Sequence, residues 1–166
     1  MARSAVIGVM GAGEGARPQD VKTAFELGRS VAREGWVLLS GGRNAGVMDA
    51  VSKGAKAEGG LTIGIVPEAN KNTLSDAVDV GIVTGMGSAR NNINVLSSDV
   101  VVACGFGGSG TASEIALALK SGKSVILLNN RAESREFFAT LGGSLVHAAE
   151  TVEDAVAAIR RLLNAA

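Results

Sequence analysis

The chain has 166 residues and is poor in the residue types that form disulfides and metal sites. Its single Cys excludes an intramolecular disulfide and a Cys-rich metal site, and its single His excludes a multi-histidine site. No apolar run approaches the roughly 20 residues that a membrane span requires. No basic leader followed by an apolar core is visible at the start of the sequence. These absences predict a soluble, cytoplasmic protein with no metal site and no membrane partner.

The chain also has no excess of charge of either sign. Lys and Arg together number 16, as do Asp and Glu, so the net charge is zero. A nucleic-acid-binding protein normally carries a positive excess that contacts phosphates, so we expect no nucleic-acid partner. Hydrophobic residues make up 46% of the chain and charged residues 19%, a balance that excludes disorder. The length suits one domain over residues 1–166.

Aromatic residues are scarce and glycine is abundant. Aromatic side chains make up only 3% of the chain, Tyr is absent, and Gly occurs 23 times. A core with so few rings must be built from Val, Ile, Leu and Ala, which suits thin layers of helix packed on sheet. The glycines cluster at the ends of apolar runs, where a close backbone approach or a positive φ is needed.

Short apolar runs alternate with helical stretches along the whole chain. The predicted strands cover residues 5–10, 36–40, 62–66, 80–84, 100–104, 124–128 and 145–146. The predicted helices cover residues 20–34, 47–58, 89–96, 111–120, 134–141 and 152–163. Nearly continuous apolar character is typical of strands covered on both faces. The pattern predicts an α/β fold, a doubly wound parallel sheet of Rossmann-like type with helices on both faces.

Four glycine-containing loops follow predicted strands. They cover residues 11–15, 41–46, 85–91 and 105–111. In a doubly wound fold, ligands bind beyond the carboxyl ends of the strands. A helix that starts there offers free backbone N–H groups and the positive end of its dipole, and glycine lets an anion approach them closely. We therefore predict an anion site at this edge, best suited to phosphate.

Two familiar phosphate motifs are nearly matched, and each fails at one position. The run from Gly11 to Ala16 fits G-x-G-x-x-A, but the acidic residue expected after the second strand is replaced by Gly41 and Gly42. The run from Gly105 to Gly110 has the glycine spacing of a Walker A loop, but Thr111 stands where Lys is required. Binding of NAD and hydrolysis of ATP are both disfavoured.

A more specific motif occupies residues 106–114, which read F-G-G-S-G-T-A-S-E. It resembles the P-G-G-x-G-T-x-x-E signature of the lysine-decarboxylase-like family, which includes the cytokinin-activating nucleotide phosphoribohydrolases. Arg90 lies upstream, as does the Arg that this family uses with its Glu. The chain departs from the family at Phe106, which replaces the signature Pro, and at Asn91, which replaces a Lys. An enzyme of this type would use Arg90 and Glu114 as its catalytic residues.

A narrower resemblance extends over essentially the whole chain. Residues 7–11, 35–43, 46–48, 87–94 and 110–120 resemble the molybdenum cofactor carrier proteins of algae and bacteria. The resemblance implies a Rossmann-like homo-oligomer, a tetramer, that binds the molybdopterin form of the cofactor. It also implies a non-catalytic role, in which the protein protects the cofactor and passes it to molybdenum enzymes. The alternatives are a nucleoside 5′-monophosphate phosphoribohydrolase and a nucleotide-sensing module of the same fold.

The predicted ligand site combines glycines with cationic and polar side chains. Seven glycines would supply backbone donors and room: Gly11, Gly13, Gly41, Gly42, Gly107, Gly108 and Gly110. Arg90 and Arg43 would meet the terminal phosphate, because a guanidinium donates two parallel hydrogen bonds. Five polar residues would bind the phosphate or the pterin: Asn44, Ser88, Asn91, Ser109 and Thr111.

Three further features have two interpretations each. Glu114 lies one turn into the helix predicted at 111–120, where it either stabilises the helix start or contacts ligand as an acid, a base or a ribose acceptor. Residues 115–119 of this helix are apolar in succession, so we expect a second apolar face that contacts another subunit. Cys104 is expected to be a buried thiol at a strand end rather than a contact to the dithiolene or the metal.

Overall fold

A computed structural model describes residues 4–105 and 107–165. Its strands are β1 (Val6–Met10), β2 (Val37–Ser40), β3 (Thr62–Val66), β4 (Val80–Val83), β5 (Val100–Cys104), β6 (Val125–Leu128) and β7 (Val146–Ala149). Its helices are α1 (Pro18–Arg33), α2 (Gly46–Ala57), α3 (Arg90–Leu96), α4 (Ser109–Lys120), α5 (Ala132–Gly142) and α6 (Val152–Ala165). Short 3₁₀ turns at Gly87–Ala89 and Gly143–Leu145 precede α3 and β7. The predicted role of Phe106 lies outside the described residues.

All seven strands are parallel and form one sheet in the order β4-β3-β2-β1-β5-β6-β7. Every residue of β5, which lies between β1 and β6, is buried, which explains its continuous apolar sequence. Residues of α1, α2 and α6 form a core with one face of the sheet. Residues of α3, α4 and α5 form a second core with the other face. The predicted fold class, a doubly wound α/β fold, is confirmed.

Two glycines let α1 and α2 cross at close range. A Cβ added to Gly28 would overlap the carbonyl oxygen of Val51, and one added to Gly54 would overlap the carbonyl oxygen of Phe25. Backbone atoms cannot move aside as a flexible side chain can, so both positions require glycine. The crossing holds α2 against the sheet next to the end of β2, where one wall of the candidate site begins.

The sheet reverses its winding at β1. From β1 the chain adds β2, β3 and β4 on one side, and then returns to place β5 on the other side. The connections that leave the carboxyl ends of β1 and β5 therefore run to opposite faces. A crevice opens between them, which is where open α/β sheets bind their ligands.

Helix α4 differs from the prediction in its start, and its outer surface carries only small exposed apolar residues. It begins at Ser109 rather than at residue 111, because Gly108 is extended and already serves as the N-cap. Its exposed apolar residues are Ala112 and Ala116, whereas Ile115, Ala118 and Leu119 are buried against the sheet. The outer surface of α4 is therefore apolar but made of small side chains, with the half-buried Leu117 beside them, and its contact with another subunit stays a prediction. Larger exposed apolar side chains lie on α5 and β4.

Within residues 4–105 and 107–165, no helix is both long and apolar enough to span a bilayer.

Candidate anion-binding site

A cavity of about 460 Å³ lies at the winding reversal, beyond the carboxyl ends of β1 and β5. Its walls come from the loop after β1, the loop after β2, the start of α3 and the start of α4. The lining residues are Met10, Gly11, Ala12, Gly13, Gly15, Gly41, Arg43, Met48, Arg90, Asn91, Gly108, Ser109, Gly110, Thr111 and Glu114. Elements that are far apart in the sequence thus meet around one open space.

The start of α4 presents unpaired backbone donors to this cavity. The N–H groups of Ser109, Gly110 and Thr111 have no hydrogen-bond partner in the described part of the chain, and no side chain caps the helix. Gly108 and Gly110 have nothing within 4 Å of the position where a Cβ would be. An anion can therefore reach these N–H groups at the positive end of the helix dipole.

Arg90 is the central cation of the site. It is only 7% exposed, and its Nε is buried without a hydrogen-bond partner among the described residues. Burial lowers the pKa of its guanidinium, and the charges of Glu114 and Glu68 partly oppose this effect. No ion pair to Arg90 forms within the described ranges, so these carboxylates act only from a distance. A buried guanidinium without a close counter-ion attracts an anion strongly.

Arg43 supplies a second cation at the rim. Its Nε lies 3.2 Å from Glu68 Oε1, and 40% of its side chain is exposed. The other carboxylate oxygen of Glu68, Oε2, is buried and has no partner in the described chain. Arg43 therefore already has a counter-ion in the free protein, whereas Arg90 does not.

Glu114 is buried beneath the cavity rather than displayed at the helix start. Because α4 begins at Ser109, Glu114 lies beyond the first turn, and the predicted stabilisation of the helix start is not its role. It is 6% exposed and accepts a 3.0 Å hydrogen bond from Asn94 Nδ2. Burial raises the pKa of Glu114 to about 7, against the opposing effects of Asn94 and Arg90. The carboxyl group is thus poised between its neutral and charged forms at neutral pH.

Asn91 connects α3 to the start of α4. Its Nδ2 donates to Ser113 Oγ at 2.9 Å, and Ser113 Oγ donates to the carbonyl oxygen of Gly110 at 2.7 Å. Asn91 also lines the cavity, so this hydrogen-bonded chain lies at the cavity wall. Its clearest function is to fix the N–H groups of α4 relative to Arg90.

The structure brings most of the predicted site residues together. Eleven of them line the cavity: Gly11, Gly13, Gly41, Arg43, Arg90, Asn91, Gly108, Ser109, Gly110, Thr111 and Glu114. Gly42, Asn44, Ser88 and Gly107 do not line it. Gly42 packs on Gly64, the side chains of Asn44 and Ser88 are exposed, and Gly107 borders a different cavity.

Sequence reasoning missed two methionines in the wall. Met10 is the last residue of β1, and Met48 lies in the first turn of α2. Met10 directly precedes Gly11 and Met48 follows Gly46 by two residues, so their closeness to the glycine loops could have indicated them. Cys104 is buried, as predicted, and does not line the cavity. Burial raises the pKa of its thiol to about 12, so it stays protonated.

Comparison with known proteins places this arrangement in a family. A family model described as the SLOG cluster4 family matches residues 4–156. The chain belongs to the SLOG cluster4 family. Among solved structures, the molybdenum cofactor binding protein from Rippkaea orientalis is 56% identical, with 98% of this chain and 99% of that chain covered and a TM-score of 0.95.

Two further relatives correspond to the two families that the sequence resembles. The Moco carrier protein from Chlamydomonas reinhardtii is 51% identical, with 99% of this chain and 100% of that chain covered and a TM-score of 0.93. The cytokinin riboside 5′-monophosphate phosphoribohydrolase from Mycobacterium tuberculosis is 33% identical over 97 residues, which are 57% of this chain and 51% of that protein. Both resemblances are confirmed; the Moco carrier protein matches nearly the whole chain, whereas the phosphoribohydrolase matches just over half of it.

The raised pKa of Glu114 predicts how stability depends on pH. The folded protein holds this proton more tightly than the unfolded chain, whose Glu has a pKa of about 4.3. Protonated Glu114 therefore contributes to the free energy of unfolding. This contribution is fully present at low pH and is lost as the pH rises toward and through its folded-state pKa of about 7. We expect Glu114→Gln to remove this loss of stability, because glutamine does not titrate. Subtracting the wild-type free energy of unfolding from that of the variant should give a value about 3 kcal/mol larger at pH 8 than at pH 5.

Urea unfolding at several pH values measures this difference. Glu133→Gln, at an exposed position on α5, is the matched control and should show no such trend. A difference between Glu114→Gln and wild type that stays constant from pH 5 to pH 8 would contradict the assignment.

Proposed function

We propose that this chain binds the molybdenum cofactor, protects it and hands it over to molybdenum enzymes in the cytoplasm without acting as a catalyst. The observation that carries the proposal is the buried Arg90, which faces the cavity without an ion pair beside the free N–H groups of α4. The relatives at 51% and 56% identity, which are named for carrying or binding this cofactor, supply the identity of the ligand.

The residues around the cavity suit the organic part of this cofactor. Its phosphate monoester would accept hydrogen bonds from the α4 N–H groups and from Arg90. Gly41 keeps that place open, because a Cβ there would lie 2.5 Å from both Arg90 Nη1 and Met48 Sδ. The described residues contain no group of three His, Cys, Asp or Glu that could hold a metal ion. The cofactor would therefore be held by its phosphate and pterin, and its dithiolene would keep the metal.

The phosphoribohydrolase alternative retains Arg90 and Glu114 but lacks other parts of the family signature. Asn91 replaces the neighbouring Lys, and it holds Ser113 rather than offering a charge to the cavity. A lost cation removes stabilisation of the transition state, which can lower a rate a hundredfold or more. These differences favour binding without turnover.

Arg90 gives the first test of the proposal. Losing a charge-assisted hydrogen bond to phosphate costs about 1.5–3 kcal/mol, so Arg90→Ala should raise the dissociation constant for the molybdenum cofactor at least about tenfold. Arg90→Lys, which keeps the charge but not the planar fork, should have a smaller effect. Anaerobic equilibrium dialysis measures both variants, with circular dichroism to verify folding.

The matched control is Arg33→Ala, an exposed arginine of α1 that pairs with Glu58 on another face. Its dissociation constant should equal that of the wild type. An unchanged affinity in Arg90→Ala would place the phosphate elsewhere and remove the main support for the proposal.

The second test separates a carrier from an enzyme. Incubation with AMP should release no free adenine above the background, while the bound molybdenum cofactor should survive longer in air than the free cofactor. Chromatography of adenine measures the first result, and a known phosphoribohydrolase is the positive control. Turnover of about one per second that disappears in Glu114→Gln would instead assign the enzyme function.

The tetramer that the resemblance implies is also part of the proposal. Besides the outer surface of α4, two other apolar patches offer contacts between subunits. Phe137 and Leu141 lie one turn apart on α5 and are 62% and 59% exposed. At the opposite end of the sheet, Val80, Ile82 and Val83 of the edge strand β4 are also exposed. Two separate apolar patches suit the two interfaces of a tetramer with dihedral symmetry.

Each patch can be disrupted separately. We expect Phe137→Glu and Ile82→Glu each to reduce the tetramer to a dimer, and the double variant to give chains of 16.7 kDa, because a buried charge opposes each apolar contact. Light scattering coupled to size-exclusion chromatography measures the masses. Ala139→Glu, at another exposed position of α5, is the control. A wild-type monomer would overturn the assembly.

A further inference from the structure

A second cavity of about 290 Å³ lies on the other side of the glycine loop, between α4 and α5. Gly108, Ser109 and Thr111 line both cavities, so the first turn of α4 forms the wall between them. The volume is close to the lower end of the range for small-molecule sites, about 300–1,000 Å³. Arg90 and the buried Glu114 line the first cavity but not this one.

Asn130 places a hydrogen-bond acceptor in the second cavity. The side chain is 8% exposed, and its Nδ2 donates to the carbonyl oxygens of Ala103 at 2.9 Å and Leu128 at 3.1 Å. These two carbonyls fix the orientation of the amide, because only the nitrogen can donate to them. Both hydrogen bonds that the side chain makes are donated by Nδ2, and Asn130 lines the cavity, so Oδ1 is the polar atom left for a ligand. This oxygen is not among the fully buried atoms that lack a partner, so it is accessible and can accept a hydrogen bond from a ligand or from water.

The other residues that line the second cavity indicate what kind of ligand would supply this donor. Ile115 and Phe138 are buried apolar residues that line the cavity, and Ala112 adds a small side chain from α4. Ser134, at the start of α5, contributes a hydroxyl group. The described lining residues carry no charged side chain. Apolar walls with one fixed acceptor suit a flat, neutral ring that carries an N–H group at its edge.

We infer that the second cavity is a subsite for a planar nitrogen heterocycle, whose ring N–H or amino group donates to Asn130 Oδ1. The inference rests on the proposed function, in which the phosphate of the same ligand occupies the first cavity. The shared wall at Gly108 and Ser109 places the two ends of one ligand on either side of the glycine loop. A pterin and a purine both have the required chemistry, and the experiment distinguishes them.

The test uses fragments, so that each cavity is probed separately. The probes are 6-hydroxymethylpterin, adenine, inorganic phosphate and 1,3-dimethyllumazine, which keeps the pterin ring system but has no N–H group. Ala112→Leu and Ser134→Leu fill the second cavity from positions on helix surfaces, without altering the first. Ala139→Leu, at an exposed position on α5 outside the cavity lining, is the matched control. Calorimetry of each fragment on the full chain gives the dissociation constants.

We expect the wild type to bind 6-hydroxymethylpterin equally well with and without saturating phosphate. Both cavity-filling variants should weaken this binding at least about tenfold and leave phosphate binding unchanged, because only the second cavity loses volume. The control should behave as the wild type, and 1,3-dimethyllumazine should bind at least about tenfold more weakly than the pterin.

Three results would overturn the subsite: no pterin binding, competition between pterin and phosphate, or pterin affinity that is unchanged in both cavity-filling variants. Tighter binding of adenine than of the pterin, with the same response to the variants, would support the subsite and identify a purine ligand, which would refute the carrier function. Phosphate binding that is unchanged in Arg90→Ala would remove the main support for the carrier function, while the fragment results would still decide the subsite.

Discussion

A buried guanidinium without an ion pair is the feature on which the candidate site depends. Removing a charge from water costs several kcal/mol per ion, and a close counter-ion normally offsets that cost. Among the residues that the structure describes, Arg90 has for this purpose the more distant charges of Glu114 and Glu68. An anion in the adjoining cavity supplies the missing interaction, and any ligand that binds only the folded state also stabilises the fold. The free protein therefore retains a site whose charge is balanced only when ligand is present.

The parallel sheet makes this arrangement possible by bringing glycines to one edge. Gly11 and Gly41 end neighbouring strands, and a Cβ on either would collide with a side chain of the site wall. At Gly11 the obstacle is Val47, which packs α2 against the sheet, and at Gly41 it is Arg90 itself. Small residues at strand ends thus have two effects: they let the helices approach closely, and they leave the space into which Arg90 reaches. Packing and binding impose the same requirement at these positions.

The fold and the general location of the site could be predicted because both depend on local patterns. Apolar runs predicted all seven strands, and the glycine loops predicted the edge where the cavity lies. The start of α4 was misplaced by two residues, because a run of glycines does not show which backbone N–H opens the helix. The burial of Glu114 depends on where α4 begins, so it could not be predicted without the correct first residue of the helix. The partners of Asn91 and Asn130 depend on contacts between distant segments, which no spacing in the sequence specifies.

The proposed carrier role requires release of the ligand as well as binding, and the charges of this site limit its affinity in a specific way. Arg43 is paired with Glu68 in the free protein, so a phosphate that binds to Arg43 must compete with a carboxylate already in place. Glu114 contributes a negative charge beneath the cavity only when it is deprotonated, and its pKa of about 7 makes that charge partial at neutral pH. An approaching anion favours the protonated form, so binding takes up protons and is weaker where they are scarce. One unpaired cation attracts the ligand, while these two carboxylates prevent that attraction from becoming irreversible.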